Sequence, residues 1–486
     1  MTIMVIDEGT SSVRALPFTE TGEIGPPAQR DIAARYPRPG WVEQDAAAIW
    51  QATAECARDL AARDEGRAIR AIGLTNQRET LVAWDRDSGE PLAPAIVWQD
   101  RRTDAACKAL RDEGHEEKVQ AVSGLLLDPY FSASKMRWML DHEEPVSAAA
   151  ERGTLAFGTI DSWLLFKLTG THCTDASNAS RTALMDLESS RWDEGLCDLF
   201  GIPRAALPEI RDMVRSFGTT DLLGTPVPVT ASVGDQQSAS IGQGCLGPGQ
   251  AKATFGTGLF ALASTGARRP KSGHRLLSTL LLQDGDHRLY ALEGSVFVAG
   301  SLVKWLRDMA GLVDSAAETE ALARSVPDAG GVTIIPAFTG LGAPYWRANL
   351  KGSIHGLTFG VTRAHLVRAA LEAVTHSCVD LLQAFAADDA GWHNLRVDGG
   401  MIANDWLAQD LADMLGQSIE RPWNVESTAR GAAMLAAAGA GVHEDVGAAI
   451  AAMLPEYERF DPVIDEEQRV ARRTEWQRLI AHELVA

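Results

Sequence analysis

The chain has 486 residues, 45% of them hydrophobic, and carries a formal net charge of −20. That length and apolar share suit a globular protein with two substantial domains, each with its own core, and exclude a disordered chain. The acidic balance argues against nucleic-acid and anionic-membrane partners, because no broad basic face is available to neutralise phosphates.

The N-terminal run "TIMVID" (2–7) predicts a core strand, with no basic lead or cleavage-type segment before it. The six cysteines (Cys56, Cys107, Cys173, Cys197, Cys245 and Cys378) form no C-x-x-C pair, which fits reduced thiols in a cytoplasmic protein. No apolar run reaches the length of a membrane span, so no membrane insertion is expected. Ile49, Thr53, Cys56 and Leu60 form one helical stripe that stops at Gly66, and "AIRAIGLT" (68–75) is the next strand. The later half repeats the alternation. A long helix over 362–385 is capped by Thr362, followed by the strand "LRVDGG", the helix "NDWLAQDLADMLG", the strand "SIERP" and the alanine-rich helix "TARGAAMLAAAGAG". The charged C-terminal segment "DEEQRVARRTEWQRLIAHEL" reads as a surface helix. Such alternation predicts two α/β domains, 1–243 and 244–486, divided in the glycine-dense "GQGCLGPGQ" (242–250). Within that stretch "GQGCLG" matches a dinucleotide turn only by letters, since it follows a helix and opens none, and no P-loop is present.

Three glycine turns are more informative. "IDEGTSSVRA" (6–15) leaves the first strand through Asp7 and Gly9 and offers Thr10, Ser11, Ser12 and Arg14 as donors for an anion. Asp7 is placed to hold a magnesium ion through water. "AKATFGTGLFAL" (251–262) repeats the pattern around Thr257, and "LRVDGGMIAND" (395–405) offers a Gly-Gly approach with Asn404 at a helix start. Each alone fits an ordinary turn. One per half plus a Gly-Gly turn suits a nucleotide clamped between two lobes. In "IGLTNQRETLVAWD" (72–85) a strand delivers Asn76, Gln77, Arg78 and Glu79 together. Such neighbours are ordinarily a solvated ion pair, but at a cleft mouth they would serve a polyhydroxylated ligand. Trp98, Tyr130 and Phe260 read as core aromatics on burial tendency alone. In "SVGDQQSAS" (232–240) an apolar strand ends in Gly234 and the lone acid Asp235, which is a turn residue in the plain reading.

These segments resemble the FGGY family of carbohydrate kinases. Two stretches look like its signatures, "YFSASKMRWMLDH" (130–142) and "GSIHGLTFGVTRAHLVRAALE" (352–372). The segments "YPRPGWVEQD", "TNQRET", "IVWQDRRT", "NASRTALM", "GDQQ", "ALEGSVFVAG" and "PAFTGLGAPYW" add to it, so the resemblance runs nearly end to end. It implies two actin-like, ribonuclease-H-like α/β domains flanking an ATP and substrate cleft, with ATP and Mg2+ as cofactors and glycerol as the acceptor. Another small polyol or triose, such as erythritol or dihydroxyacetone, is the alternative acceptor, and a non-catalytic sensor on the same fold the alternative role. Carried over by motif, Asp235 is the general base. Arg78, Glu79, Tyr130, Asp235 and Gln236 hold hydroxyls, and Trp98 and Phe260 pack the carbon chain. Thr10, Ser11, Arg14 and Thr257 meet phosphates, and Gly300, Gly400 and Asn404 line the adenosine side. A homo-oligomer, dimer or tetramer, is the family expectation. Three departures stand out. Glu8 occupies a position where glutamine is common, and Lys304 one where a nucleotide-side glutamine is frequent. The stretch 217–230 lacks the Gly-Gly-x-Arg-like loop that binds fructose 1,6-bisphosphate in some relatives, and the region lacks their phosphorylatable histidine.

Overall fold

Apolar runs form strands and amphipathic runs form helices in the computed structural model, which describes residues 1–63, 69–347 and 349–485. The helix stop expected at Gly66 lies outside the described residues. The strand expected from residue 68 is described from Ile69. In the first sheet, β1 (Thr2–Glu8), β2 (Ser12–Thr19) and β3 (Ala28–Asp31) run antiparallel in sequence. After helix α1 (Ala46–Ala61) come β4 (Ile69–Asn76), an edge strand β5 (Val214–Thr220) and β6 (Val227–Gly234). The order is β5-β6-β4-β1-β2-β3, with β4 parallel to both β1 and β6.

The second sheet repeats this plan. It contains β7 (Gln250–Phe255), β8 (Leu259–Gly266), β9 (Leu277–Asp284), β10 (His287–Val296), β11 (Asn394–Asp398), β12 (Ile419–Pro422) and β13 (Tyr457–Phe460), in the order β9-β10-β8-β7-β11-β12-β13. Strands β7, β8 and β10 are mutually antiparallel in turn, while β11 and β12 follow β7 in parallel. Three antiparallel strands continued by two parallel ones, present twice, give the duplicated actin-like, ribonuclease-H-like α/β architecture. Polar ends of β1, β4 and β6 meet at one edge of the first sheet. Helix α2 (Asp235–Gly242) springs from β6 there.

Four more helices complete what the site needs: α3 (Gly300–Asp308), α4 (Arg363–Ala387), α5 (Asp405–Leu415) and α6 (Ser427–Gly439). Helix α4 begins after Thr362, whose backbone N–H donates to His365 Nδ1 at 3.0 Å. Helix α6 departs from the expectation of a separate core in each half. Its Ala429, Ala432, Ala433 and Ala436 share one apolar cluster with Ile3, Val5, Ala231 and Val233 of the first sheet. The central strands of the first sheet are buried on both faces, and here the cover of one face comes from late in the chain.

Glycines permit that approach. A Cβ on Gly73 would lie 2.6 Å from the Ala432 carbonyl oxygen, one on Gly242 2.0 Å from that of Ser427, and one on Gly431 1.9 Å from that of Ser238. Backbones of β4, α2 and α6 therefore touch directly, and α2 is held between the halves. All six cysteines are buried and unpaired. Among the described residues no helix is long and apolar enough to cross a membrane.

This packing sets the sign of one substitution. Gly431→Ala would gain about 1 kcal/mol from helix propensity alone, but the overlap with Ser238 outweighs it. The expected result is a net loss of roughly 1–3 kcal/mol, read as a lower Tm; a rise would show that the α2–α6 contact is looser than described.

Candidate active site

Beyond Asn76 the chain turns across the open ends of β1 and β6. Glu79 adopts φ 61°, an uncommon value for a residue with a side chain. Its carbonyl accepts from Ser132 Oγ at 3.1 Å and Lys135 Nζ at 3.3 Å, which hold the turn in place. Arg78 and Glu79 are not a solvated pair: their side chains are 1% and 2% exposed. Each finds its main partner elsewhere. Arg78 donates in a fork to Glu293, Nη1 to Oε2 at 2.6 Å and Nη2 to Oε1 at 2.9 Å, and Nη1 also donates to Gln237 Oε1 at 3.1 Å. Its Nε lies 3.2 Å from Asp235 Oδ1. Glu79 accepts from Arg181 Nε at 2.7 Å.

Asp235 is the first residue of α2, where the helix dipole favours a carboxylate. Its Oδ1 accepts from the Gln236 backbone N–H at 2.7 Å, and its Oδ2 from Gln236 Nε2 at 3.2 Å. The side chain remains 31% exposed, in contrast to the buried charges around it. Gly234 makes room for this arrangement, since a Cβ there would lie 2.7 Å from Arg78 Cδ.

Asp235 opens into a cavity of about 160 Å³. Every residue assigned to the polyol, namely Arg78, Glu79, Trp98, Tyr130, Asp235, Gln236 and Phe260, borders it, together with Thr10 and Thr257. Trp98 meets Tyr130 and Phe260 edge to face, with ring centroids 5.7 and 6.1 Å apart, and its Nε1 donates to Thr10 Oγ1 at 2.9 Å. The three aromatics thus form an apolar wall opposite the charges. Burial pushes the Tyr130 phenol well up, so it stays protonated.

A second cavity, of about 670 Å³, is bordered by Thr257, Gly300, Lys304, Gly400 and Asn404. Gly256 and Thr257 border both cavities. A Cβ on Gly300 would sit 2.5 Å from the Gly256 carbonyl oxygen, and one on Gly399, at φ 94°, 2.5 Å from that of Phe255. Those close approaches draw α3 and the Gly-Gly turn around the cavity. Asn404 caps α5 by accepting from the Leu407 N–H at 3.0 Å and donates to Thr319 Oγ1 at 3.2 Å. Its amide is therefore part of the wall. Lys304 is exposed on α3.

Ser11, Arg14 and Asp7 border neither cavity. Ser11 is exposed in the turn between β1 and β2. Asp7 and Arg14 are cross-strand partners, and Arg14 joins Asp7 at 2.5 Å to Glu426 at 2.8 Å. Burial pushes the Asp7 carboxyl up, against the pull of Arg14. Glu8, one residue on, faces the other side of the strand. It accepts from Gln77 Nε2 at 3.1 Å and borders neither cavity, and burial holds it well above the usual carboxylate range. The extra acid in the first loop is thus turned away. Among the described residues no three His, Cys, Asp or Glu side chains form a metal cluster.

Comparison with known proteins identifies the family. The N-terminal domain of the FGGY family of carbohydrate kinases matches residues 2–242, and the C-terminal domain matches residues 251–440. The chain belongs to the FGGY family of carbohydrate kinases. It is 51% identical to a glycerol kinase of Rhodospirillum centenum, over 98% of this chain and 96% of that one. With a glycerol kinase of Alcanivorax borkumensis it shares 50% identity, over 99% and 97%. A crystal structure of Plasmodium falciparum glycerol kinase with ADP superposes with a TM-score of 0.93 at 33% identity, covering 100% of this chain and 98% of that chain.

Several charged residues of this FGGY kinase site carried no role in the sequence reading: Arg181, Lys252 and Glu293. Glu293 lies in the apolar strand β10, and an acid inside such a run ("YALEGSVF") was the available signal. Arg181 Nη2 donates to Glu293 Oε1 at 3.1 Å, so two guanidiniums from the first half share one carboxylate from the second. Burial alone would raise Glu293, but Arg181 and Arg78 hold it down at about 2. Because the folded value is depressed from 4.5, its contribution to stability is present above pH 4.5 and is lost as pH falls toward 2.

Glu293→Gln removes that carboxylate. The expected effects are a loss of roughly 3 kcal/mol at pH 7, since two buried cations lose their partner, and a flatter dependence of Tm on pH between 4.5 and 2 than in the parent. Melting curves across that range check both, and an unchanged slope would remove Glu293 from the acid response.

Proposed function

We propose that the protein transfers the γ-phosphoryl group of ATP to a terminal hydroxyl of glycerol, giving sn-glycerol 3-phosphate. The observation that carries this reading is a partly exposed carboxylate, Asp235, in a small polar-and-aromatic cavity that meets a nucleotide-sized one at Gly256 and Thr257. The small cavity suits a three-carbon polyol, and the large one falls within the usual range for ligand sites. Full-length similarity to glycerol kinases supports the acceptor.

A primary alcohol is a weak nucleophile at neutral pH. Asp235 accepts its proton as the phosphoryl group arrives, and charge-assisted contacts from Arg78 orient the base. Glu79 and Gln236 take hydroxyl hydrogen bonds, while Trp98 and Phe260 cover the carbon chain. Thr257 stands at the seam where the phosphates pass, Thr10 faces it from the first lobe, and closure brings Ser11 and Arg14 toward the same charges. Gly300, Lys304, Gly400 and Asn404 line the adenosine side. Lys304 supplies a cation there.

Magnesium fits as a companion of the nucleotide. It keeps most of its waters and needs only one or two carboxylates, and Asp7 provides one near enough to feel the charge of Asp235. Bound there, the ion would offset charge on the phosphate oxygens. A homo-oligomer is in keeping with the family.

ADP release tests the assignment, measured with glycerol, erythritol, dihydroxyacetone and no polyol. Glycerol should give the highest kcat/KM, and Asp235→Asn should lower kcat by about 100-fold or more while ADP binding persists. Near-parental turnover by Asp235→Asn would remove the base, and preference for erythritol would reassign the acceptor.

A further inference from the structure

Lys252 is a completely buried cation on β7 that the phosphoryl-transfer reading leaves without a task. Its Nζ donates to Gln236 Oε1, to Thr254 Oγ1 at 3.0 Å and to the Phe260 carbonyl at 3.5 Å. An ammonium has three protons, and all three point at acceptors. Each acceptor belongs to a residue bordering the small cavity, one on α2, one on β7 and one on β8, whereas Lys252 itself does not border it.

The contact with Gln236 matters most. A glutamine amide turned over presents an oxygen where its NH2 stood, at little cost in packing. Here the orientation has a consequence, because Gln236 Nε2 is the donor to Asp235 Oδ2 at 3.2 Å. Were the amide reversed, a carbonyl oxygen would face the carboxylate. The backbone N–H of Gln236 and Nε of Arg78 hold only the other oxygen, Oδ1.

We propose that Lys252 is a positioning residue for phosphoryl transfer: by binding the Gln236 carbonyl it compels the Gln236 amide to donate to Asp235, and so orients the base. This inference rests on the kinase reading above. The charged groups facing Lys252 are Asp398 of β11, Asp235 of α2, Glu293 of β10 and Arg78 beyond β4. Burial brings the ammonium down to about 8, so mildly alkaline solution leaves an amine with two N–H groups for three acceptors and weakens the hold on Gln236. Lys135, brought by burial to about 8 as well, binds the Glu79 and Tyr130 carbonyls and has no contact with Gln236.

Steady-state kinetics with glycerol and ATP, on the parent, Lys252→Met, Gln236→Ala and the double variant, test the relay. Lys252→Met should lower kcat by about ten- to a hundredfold, with the KM for ATP within about twofold. In the Gln236→Ala background the same change should cost little more, since the two side chains act as one unit. Independent, multiplying losses, or a Lys252→Met enzyme with parental kcat, would overturn the proposal. Should the methionine variant not fold, pH profiles decide: the parent should lose kcat above pH 8, and Gln236→Ala should lack the part of that limb due to Lys252. An identical limb in both would overturn it. If the parent releases no ADP with glycerol, the kinase reading falls; a crystal structure of Lys252→Met then decides the relay, which fails if Gln236 and Asp235 keep their parental orientations.

Discussion

Glu293 and the two guanidiniums it holds, Arg78 and Arg181, form the constraint on which the site depends. All three side chains are essentially excluded from solvent. A lone arginine at that depth would be prohibitively costly, so the carboxylate on β10 must reach across from the second sheet to the first. The turn after β4 and the strand β10 are thereby brought to one place. Arg78, fixed by that fork, presents its remaining Nε to Asp235.

That linkage explains why the small cavity belongs to neither half alone. Thr10, Trp98, Tyr130 and Asp235 come from the first half of the chain, and Thr257 and Phe260 from the second. Helix α2 is held against α6 through glycine contacts, and α6 in turn lies directly on β4 and β6, so the residue at the start of α2 is carried on a rigid element. The Arg78–Asp235 pair is anchored to the second half through Glu293. Water exclusion on closure would strengthen each of these charge contacts and limit futile hydrolysis.

The charge distribution is graded. Glu8 and Glu79 are buried and pushed toward their neutral forms, Glu293 is held ionised by its partners, and Asp235 alone of this group is partly exposed to the cavity. Under the proposed reaction, that separation would leave one carboxylate facing the substrate while the others serve the structure. In a chain of net charge −20, Arg78, Arg181, Lys135 and Lys252 gather around the small cavity beside the carboxylates Glu79, Asp235 and Glu293.

Much of this was legible from residues in order. Alternating apolar runs announced the strands and helices, and the polar residues just past β1, β4 and β6 announced a cleft, because a strand end is where a chain can expose side chains without losing its ladder. Asp235 stood out there only as a turn acid, and its role as base came from the resemblance to the FGGY family. Partners distant in sequence were not legible. Glu293 looks like an anomaly within an apolar strand, Lys252 like any strand lysine, and Glu8 like a rival of the phosphates, until the sheets are assembled. Local pattern depends on spacing of a few residues, which sequence records directly. The pairing of Arg78 with Glu293, the cover that α6 supplies to the opposite sheet, and the turning of Glu8 away from both cavities depend on which surfaces meet, and only the packed tertiary structure, with its low dielectric and its need to satisfy every buried charge, decides those.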